Sequence, residues 1–519
     1  MGRKGKERLL LLTPPLLQTN SPYPATMHLT GFLRSLGLDV HQRDLSIKVT
    51  RDVLVEYGGD EAEELIELLG GGAPAEAKTE ASKVIDELAL WIRDNVDAGF
   101  GFSRYAERLG AAGSFRDVER AVARRGVVDS PLEKHLEEAL KTVRPTIVGV
   151  TCPFPGTLVA SFKIARYIKK HYPRIKVVLG GGFVSTELRE MDDPRPLACF
   201  DSFVFDEGYA PMAAMMGIRN AKVPPFVAPD YDGIDWSEYF DVAETANPMH
   251  RLWSVGRWRK LVMSRGCYWH KCAFCDVRLP YIGCFEMPDA GEIVDAMEKS
   301  GTSFHFVDEA MPPSLLAKVS REIVRRKFKC EWWGNIRFDA AFTPELAQLM
   351  AKAGCVAVTG GLECANERLL ALMNKGITLE SARKALEAFR DAGIMVHSYL
   401  MYGFPTETEE EAFGALDFVR GLFREDLVQS AFWHRFALTV HSPIAAHPER
   451  FGISVRSPKP RKGRVFRRNE LRYIEPGAPD WDAIGQALGL AMYNFVEGRG
   501  LDKRPAFWQR AVQKRSPRM

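Results

Sequence analysis

Short apolar runs recur through this chain, each ended by proline, glycine or a carboxylate and each followed by an amphipathic stretch. In the first block they lie at 9–13, stopped by Pro14-Pro15, at 146–151, at 176–180, running into Gly181-Gly182, and at 202–205, ended by Asp206-Glu207-Gly208, while the more polar 40–45 also reads as a strand. Runs this short and this apolar are strands buried on both faces. The amphipathic stretches at 26–36, closed by Gly37, and at 158–170 supply the crossovers that parallel strands require. The pattern predicts an α/β fold with a doubly wound, Rossmann-like sheet. Ligands of such a sheet sit beyond the carboxyl ends of its strands, here 152–157, 180–182 and 206–208.

A second alternation starts at Lys260. Strands are expected at 261–264, 303–307, 331–336, 356–359, 395–401 and 430–438, with helices at 290–299, 314–326, 344–353, 379–392 and 409–423. Six such units predict a partial (βα)6 barrel whose reactive groups lie at its C-terminal mouth. The resulting division is a sheet domain from 1–50 plus 141–220, a segment at 51–140, a linker at 221–259, a barrel at 260–440 and a C-terminal extension at 441–519. Residues 51–140, rich in Glu, Ala, Leu, Lys and Arg, read as a helical insertion over the ligand edge or as a surface helical hairpin.

Composition narrows the function. With 519 residues, 46% of them hydrophobic and 26% charged, the chain has material for large cores, which excludes a disordered tail protein or a collagen-like fibre. Seventy Lys+Arg against 67 Asp+Glu leave a formal charge of +3, which argues against a nucleic-acid binder. The apolar run after the basic N-terminus stops at Thr13-Pro14-Pro15, too soon for a signal peptide, and no stretch approaches the ~20 apolar residues of a membrane span. Nine cysteines, three of them within nine residues and the rest scattered, are no disulfide framework. They point to a metal site in a reducing compartment, hence a cytoplasmic protein.

The three are Cys267, Cys272 and Cys275, in a C-x4-C-x2-C loop directly after the first barrel strand. Three thiolates on one loop can hold three irons of a 4Fe–4S cluster and leave the fourth open to a bidentate small ligand. Zinc is the alternative, with His270 or Cys284 as the fourth ligand. The loop resembles the signature of radical S-adenosylmethionine (radical SAM) enzymes, including the aromatic Phe274 before the last cysteine. The family spacing is C-x3-C-x2-C; here Tyr268, Trp269, His270 and Lys271 make the first interval one residue longer.

Later segments carry the same resemblance in order. Phe306-Val-Asp308-Glu309 resembles the second-strand end that meets the cofactor's amino group or ribose. Arg337, in Trp333-Gly-Asn-Ile-Arg337-Phe-Asp339, resembles the arginine that pairs with its carboxylate. Glu363, in Gly360-Gly-Leu-Glu363, resembles the fourth-strand acid, with Asn374-Lys-Gly376 following. Gly403, in Tyr402-Gly-Phe-Pro-Thr-Glu-Thr408, resembles the adenine-backbone segment. Taken singly, Asp308, Glu309 and Glu363 could cap helices, Arg337 could form a surface ion pair and Gly403 could be a turn.

Ahead of such a barrel, the first domain resembles the cobalamin-binding domain of class B radical SAM methyltransferases. The carrying residues are Thr13-Pro-Pro15, Pro22-Tyr-Pro-Ala25, the 144–150 strand with Thr151, Gly180, Gly181 and Gly182, and Asp206, Glu207, Gly208 and Tyr209. The glycines would let a large planar ligand approach the backbone, and Thr151, Thr157, Ser185 and Thr186 would bond its rim. The D-x-H-x-x-G cobalt-binding motif is absent; His28, in Thr26-Met-His28-Leu-Thr-Gly31, is expected to be an ordinary helix residue.

The resemblance implies an enzyme with a 4Fe–4S cluster, S-adenosylmethionine and cobalamin, methylating an unactivated carbon of a small-molecule or peptide substrate. It also implies an electron donor such as flavodoxin or ferredoxin. Alternatives are another radical reaction, such as a cyclisation or rearrangement, beside a structural or empty cobalamin-like domain, and a non-catalytic cobalamin- or metal-binding protein. Methylthiolation would need a second cysteine cluster, which Cys152, Cys199, Cys284, Cys330, Cys355 and Cys364 do not form. Two further features are a basic stretch at 455–473, with eight Lys/Arg to one acid, readable as a phosphate-contacting patch or a solvated loop, and aromatic groups at Trp332-Trp333 and 432–435, readable as cavity lining or as packing.

Overall fold

The computed structural model describes residues 7–515 apart from 103, 112–113, 244, 246, 255–257 and 457–464. The chain forms two compact units. One comprises Met1–Glu244, Ser254–Lys260 and Pro460–Asn469; the other comprises Thr245–Trp253, Leu261–Lys459 and Glu470–Met519.

The first unit is built on five strands: β1 (Arg8–Thr13), β2 (Asp39–Asp44), β3 (Ile147–Thr151), β4 (Lys176–Gly180) and β5 (Ser202–Phe203), in the order β2-β1-β3-β4-β5. Their neighbours run parallel, with Leu9 opposite Ile147 and Val148 opposite Val177. The leucine run of β1 shows why the sheet is doubly wound. Leu10 and Leu12 enter one hydrophobic core, while Leu9 and Leu11 enter another on the opposite face. Helix Ala25–Ser35 covers the second with Phe32 and Leu33; helix Leu158–His171 covers the first with Phe162, Ile164 and Ala165.

Helices Leu45–Gly70, Ala75–Asn95, Phe115–Ala123 and Asp129–Val143 add Val53, Ile85, Val118 and Leu132 to the first of these cores. Two glycines mark a close approach beside the carboxyl end of β3. A Cβ on Gly110 would lie 2.1 Å from the Pro155 carbonyl oxygen, and one on Gly156 would lie 3.0 Å from the Cβ of Arg104. Segment 104–110 therefore rests directly on the turn that follows β3. Nearby, Lys163 is buried with Asp129, its Nζ donating to both carboxylate oxygens at 2.7 and 2.8 Å and to the Arg124 carbonyl at 2.7 Å.

The second unit carries β6 (Arg259–Leu261, its first two residues belonging to the first unit), β7 (Ser303–Phe306), β8 (Glu331–Ile336), β9 (Cys355–Glu363), β10 (Met395–Tyr402) and β11 (Ser430–Arg435) in the order β11-β10-β9-β8-β7-β6. Pairs from β7 to β11 are parallel, with helices between them, the architecture expected of a partial barrel. Three strand ends differ from the sequence expectation. β6 stops at Leu261, and past Val262 the N–H groups of Met263 and Ser264 donate to the Asp308 carboxylate instead of a neighbouring strand. β9 runs on to Glu363 through a bulge between Gly361 and Glu363. β11 ends at Arg435, and Leu438–Thr439 pairs instead, antiparallel, with Glu470–Leu471.

Of the basic stretch, 457–464 lie outside the described residues; Arg467 and Arg468 pair with Glu187 (2.6 Å) and Glu190 (3.2 Å). Among the described residues, no helix is long and apolar enough to cross a membrane.

Removing one partner of a buried ion pair leaves an uncompensated charge. Lys163→Met is therefore expected to destabilise the first unit by about 3–5 kcal/mol in urea unfolding, and adding Asp129→Asn to recover part of that loss.

Candidate functional site

The cysteine loop is anchored at its root by one carboxylate. Asp308, just past β7, accepts from Met263 N and Ser264 N at 2.8 Å each and from Ser264 Oγ at 2.9 Å. Burial raises its pKa to about 6, against the pull of these donors. The next turn is forced by Gly266, at φ 72°, where a Cβ would fall 1.6 Å from the Cys284 carbonyl oxygen. Cys267 N then donates to Ile282 O at 3.0 Å.

Cys272 is buried, Cys267 and Cys275 are half-buried, and all nine cysteines are free thiols. A hydrogen bond from Cys275, helped by Lys375 and Arg337 and opposed by burial, lowers the Cys272 thiol to about 6. Cys272 and Cys275 thus meet beside two cations, and Cys267 lies on the same loop; three cysteine thiols are, in their chemistry, a donor set that fits a cluster with one open iron. Among the described residues, no group of three or more His, Cys, Asp or Glu side chains is gathered as a single-ion site. Of the two fourth ligands considered for zinc, His270 has its Nδ1 3.0 Å from the Cys267 carbonyl oxygen, and Cys284 is exposed.

Arg337 is 3% exposed, so it is no surface ion pair. Its Nη1 donates to Cys272 Sγ at 3.8 Å and its Nη2 donates to the Lys375 carbonyl. Glu363, at φ 63° in the β9 bulge, pairs with Lys375 at 2.5 Å. Burial works to lower the Lys375 pKa, but Glu363 and the Cys272 sulfur outweigh it and raise it. Lys375 lies 5.7 Å from the Phe274 ring centroid, so Phe274 forms one wall of this pocket of charge.

None of the three strand-end acids caps a helix. The helix after β9 is capped by Asn366, whose side chain accepts from Leu369 N at 3.1 Å, and the helix after β7 begins at Pro312-Pro313. Glu309 is exposed at the surface while its neighbour Asp308 is occupied by the loop root. Gly403, at φ 74°, lies in a turn closed by Glu407: its N–H and that of Phe404 donate to Glu407 Oε2 at 2.6 and 3.2 Å.

Lys375, Glu407 and Trp269 were not singled out from sequence, although each sits inside a string that was. The rings read from sequence at Trp333 and 432–435 stand among others that were not singled out, His250, His305, His397 and Tyr399. His305 stacks on Trp333 with centroids 3.4 Å apart, and His397 and His250 share the Ser430 hydroxyl at 3.0 and 2.9 Å. Tyr399 and Phe432 are 39% and 55% exposed beside His434. Their signal was the period-2 placement of rings along β10 and β11.

In the first unit, the residues named from sequence lie at the carboxyl strand ends. Thr151 is buried, and its Oγ1 has no partner among the described residues, so it is free to bond a ligand or a water. Gly180, Gly181 and Gly182 serve contacts within the chain. A Cβ would meet Val204 O at 3.3 Å, the Cys152 backbone at 2.7 Å and Pro153 O at 3.2 Å respectively, so the close approach is to protein backbone. The hydroxyls of Thr157, Ser185 and Thr186 donate to the carbonyls of Phe154, Gly181 and Gly182. Glu207 and Gly208, the latter at φ 75°, begin helix Tyr209–Met215, and Phe154 is 53% exposed against the edge of Tyr23. His28 is an interior helix residue, its Nδ1 3.1 Å from Val227 O and its pKa pushed down to about 4 by burial.

Residues 261–419 match the Radical SAM superfamily. The chain is 25% identical over 317 residues to an anaerobic magnesium-protoporphyrin IX monomethyl ester cyclase of Rubrivivax gelatinosus, covering 54% of each, so it spans about half of that relative's length. It is 24% identical over 328 residues to an uncharacterized methyltransferase of Pyrococcus horikoshii, covering 57% of this chain and 69% of the other. Its fold is similar to that of the radical S-adenosylmethionine methyltransferase TsrM from Kitasatospora setae with tryptophan and a SAM analogue bound (TM-score 0.56, 17% identity, 98% of this chain and 96% of that one). It is also similar to the cobalamin-dependent S-adenosylmethionine radical enzyme OxsB with aqua-cobalamin and S-adenosylmethionine bound (TM-score 0.55, 13% identity, 93% and 66%). At these identities the two structures speak to fold: the doubly wound sheet followed by a partial barrel is shared.

Glu407 gives this region a pH dependence. Burial raises its pKa to about 8, above the ordinary value of 4.5. The folded state therefore holds a proton that the unfolded chain has released, and stability falls as pH rises from about 4.5 to about 8. The loss is expected to be on the order of a few kcal/mol. Glu407→Gln keeps the accepting oxygen and is expected to flatten that slope in unfolding measurements across the interval.

Proposed function

We propose that this chain, whose 261–419 segment is a radical SAM domain, is a cobalamin-dependent radical SAM enzyme that methylates carbon. The observation that carries the reading is the three-thiol loop after β6, set beside the Arg337 and Glu363–Lys375 charges at successive strand ends. The first unit's doubly wound sheet, similar in fold to proteins with cobalamin bound, supports the second cofactor.

Cys267, Cys272 and Cys275 would bind three irons, and Asp308 would hold the loop that presents them. Glu309, Glu363 and the Gly403 backbone would face S-adenosylmethionine. Thr151, Gly180, Gly181, Gly182, Glu207 and Gly208 would border cobalamin, while His28, buried in its helix, is not presented to the cobalt. When loaded, the cluster with S-adenosylmethionine supplies a carbon-centred radical, and cobalamin supplies the methyl group. The protein's share is orientation and exclusion of water, for which the ring-lined strands of the second unit are suited.

Anaerobic reconstitution is expected to load about four irons and four sulfides per chain. Replacing any of the three cysteines by Ala should abolish 5′-deoxyadenosine formation; retained formation would sink the assignment. Gly266→Ala should cut iron loading, because its Cβ cannot share space with the Cys284 carbonyl. Transfer of label from methyl-labelled S-adenosylmethionine separates methylation from the second reading, a radical cyclisation or rearrangement, which makes deoxyadenosine without methyl transfer.

A further inference from the structure

The first cysteine interval is one residue longer than the radical SAM signature, and the structure shows what occupies the added length. Trp269 is turned back onto the protein and held by three features. Its Nε1 donates to the Asn374 carbonyl at 2.9 Å. Gly376, at φ 73°, leaves room for it: a Cβ there would sit 2.1 Å from the indole ring. The Arg337 guanidinium lies 4.6 Å from its ring centroid, and Lys271 Nζ lies 5.1 Å from it. Asn374 Nδ2 closes the arrangement by donating to Lys271 O at 2.9 Å.

Arg337 is thereby fixed in one direction. The indole covers it, Nη2 donates to Lys375 O, and Nη1 donates to the Cys272 sulfur at 3.8 Å. Its Nε has no hydrogen-bond partner among the described residues, and the nearest carboxylate oxygen, on Asp339, is 3.7 Å away and accepts from Tyr268. The fork of this arginine is aimed at a cluster thiolate and at backbone. The family resemblance led instead to the expectation that it would pair with the carboxylate of S-adenosylmethionine.

We propose that the added loop residue makes Arg337 a positioning residue for the cluster: clamped under Trp269, it donates to Cys272 and raises the reduction potential of the iron–sulfur centre. It does not hold the carboxylate of S-adenosylmethionine. Reduction adds negative charge to the cluster, and a cationic hydrogen-bond donor on a ligand sulfur stabilises that added charge. The inference rests on the reading of Cys267, Cys272 and Cys275 as cluster ligands. A wild-type chain that loads no iron defeats that reading before any variant is made.

The test uses the full chain, reconstituted anaerobically, with each value normalised to bound cluster. Midpoint potential is measured by redox titration without S-adenosylmethionine, and S-adenosylmethionine affinity by its perturbation of the reduced cluster's paramagnetic resonance spectrum. Arg337→Gln is expected to lower the reduced-to-oxidised ratio at fixed potential roughly tenfold, a negative shift of about 59 mV for one electron. Affinity for S-adenosylmethionine should change less than about threefold, under 1 kcal/mol. Arg337→Lys, which keeps the charge and loses the fork, should shift the potential less. Trp269→Ala should shift it in the same direction as Arg337→Gln, and Trp269→Phe, which keeps a ring over the guanidinium, should restore most of the wild-type value. An unchanged potential in Arg337→Gln and Trp269→Ala overturns the proposal. So does a loss of S-adenosylmethionine affinity of about tenfold or more in Arg337→Gln, which would return the arginine to the carboxylate.

Discussion

The carboxylate of Asp308 holds the chain where it has left the first barrel strand and the cysteine loop begins. Three donors from Met263 and Ser264 converge on it, so the chain, off the sheet after Leu261, turns through Gly266 with its root immobilised. A charged acceptor bonded to backbone N–H groups is among the stronger links a protein can make, and in a buried setting its loss would leave those donors unsatisfied. The positions of Cys267, Cys272 and Cys275 follow from that root, since only the loop connects them to the sheet before the Met373–Gly376 segment receives its far end.

That far end is a second frame, and its logic is cationic. Arg337 and Lys375 both approach Cys272, while Glu363 balances Lys375 from the β9 bulge. Buried charges of one sign at such close quarters are tolerated only with partners; here the partners are a carboxylate, backbone carbonyls, an indole face and thiols. The glycines of this region have the same origin. Gly361 and Gly376 lack side chains because the Glu363 carboxylate and the Trp269 ring occupy the space.

Much of this architecture was legible in the chain itself. The alternation of apolar runs with amphipathic stretches marked both sheets, because strands buried on two faces leave a dense hydrophobic signature and helices between them a 3.6-residue one. The loop was legible because cysteines at such spacing have few other uses. The roles inside the site were harder to read. Asp308 and Glu309 are adjacent in sequence and read as a pair, yet one is buried at the loop root and the other is exposed. Gly180–Gly182 read as room for a ligand and turned out to be room for the Cys152–Pro153 backbone. Lys375, a single residue in a short string, gained its meaning from Glu363 and Cys272, both distant along the chain.

Sequence alone determined the fold class, the order of the strands' chemistry and the three thiols on one loop, because periodicity and spacing are local properties that survive without coordinates. Which way each buried side chain points was decided only by tertiary structure. Arg337 carries the same charge whether it faces a cofactor or a cysteine sulfur. The Trp269 indole, the Gly376 gap and the Lys375 carbonyl select its direction, and they meet it only once the sheet has brought separate stretches of chain together.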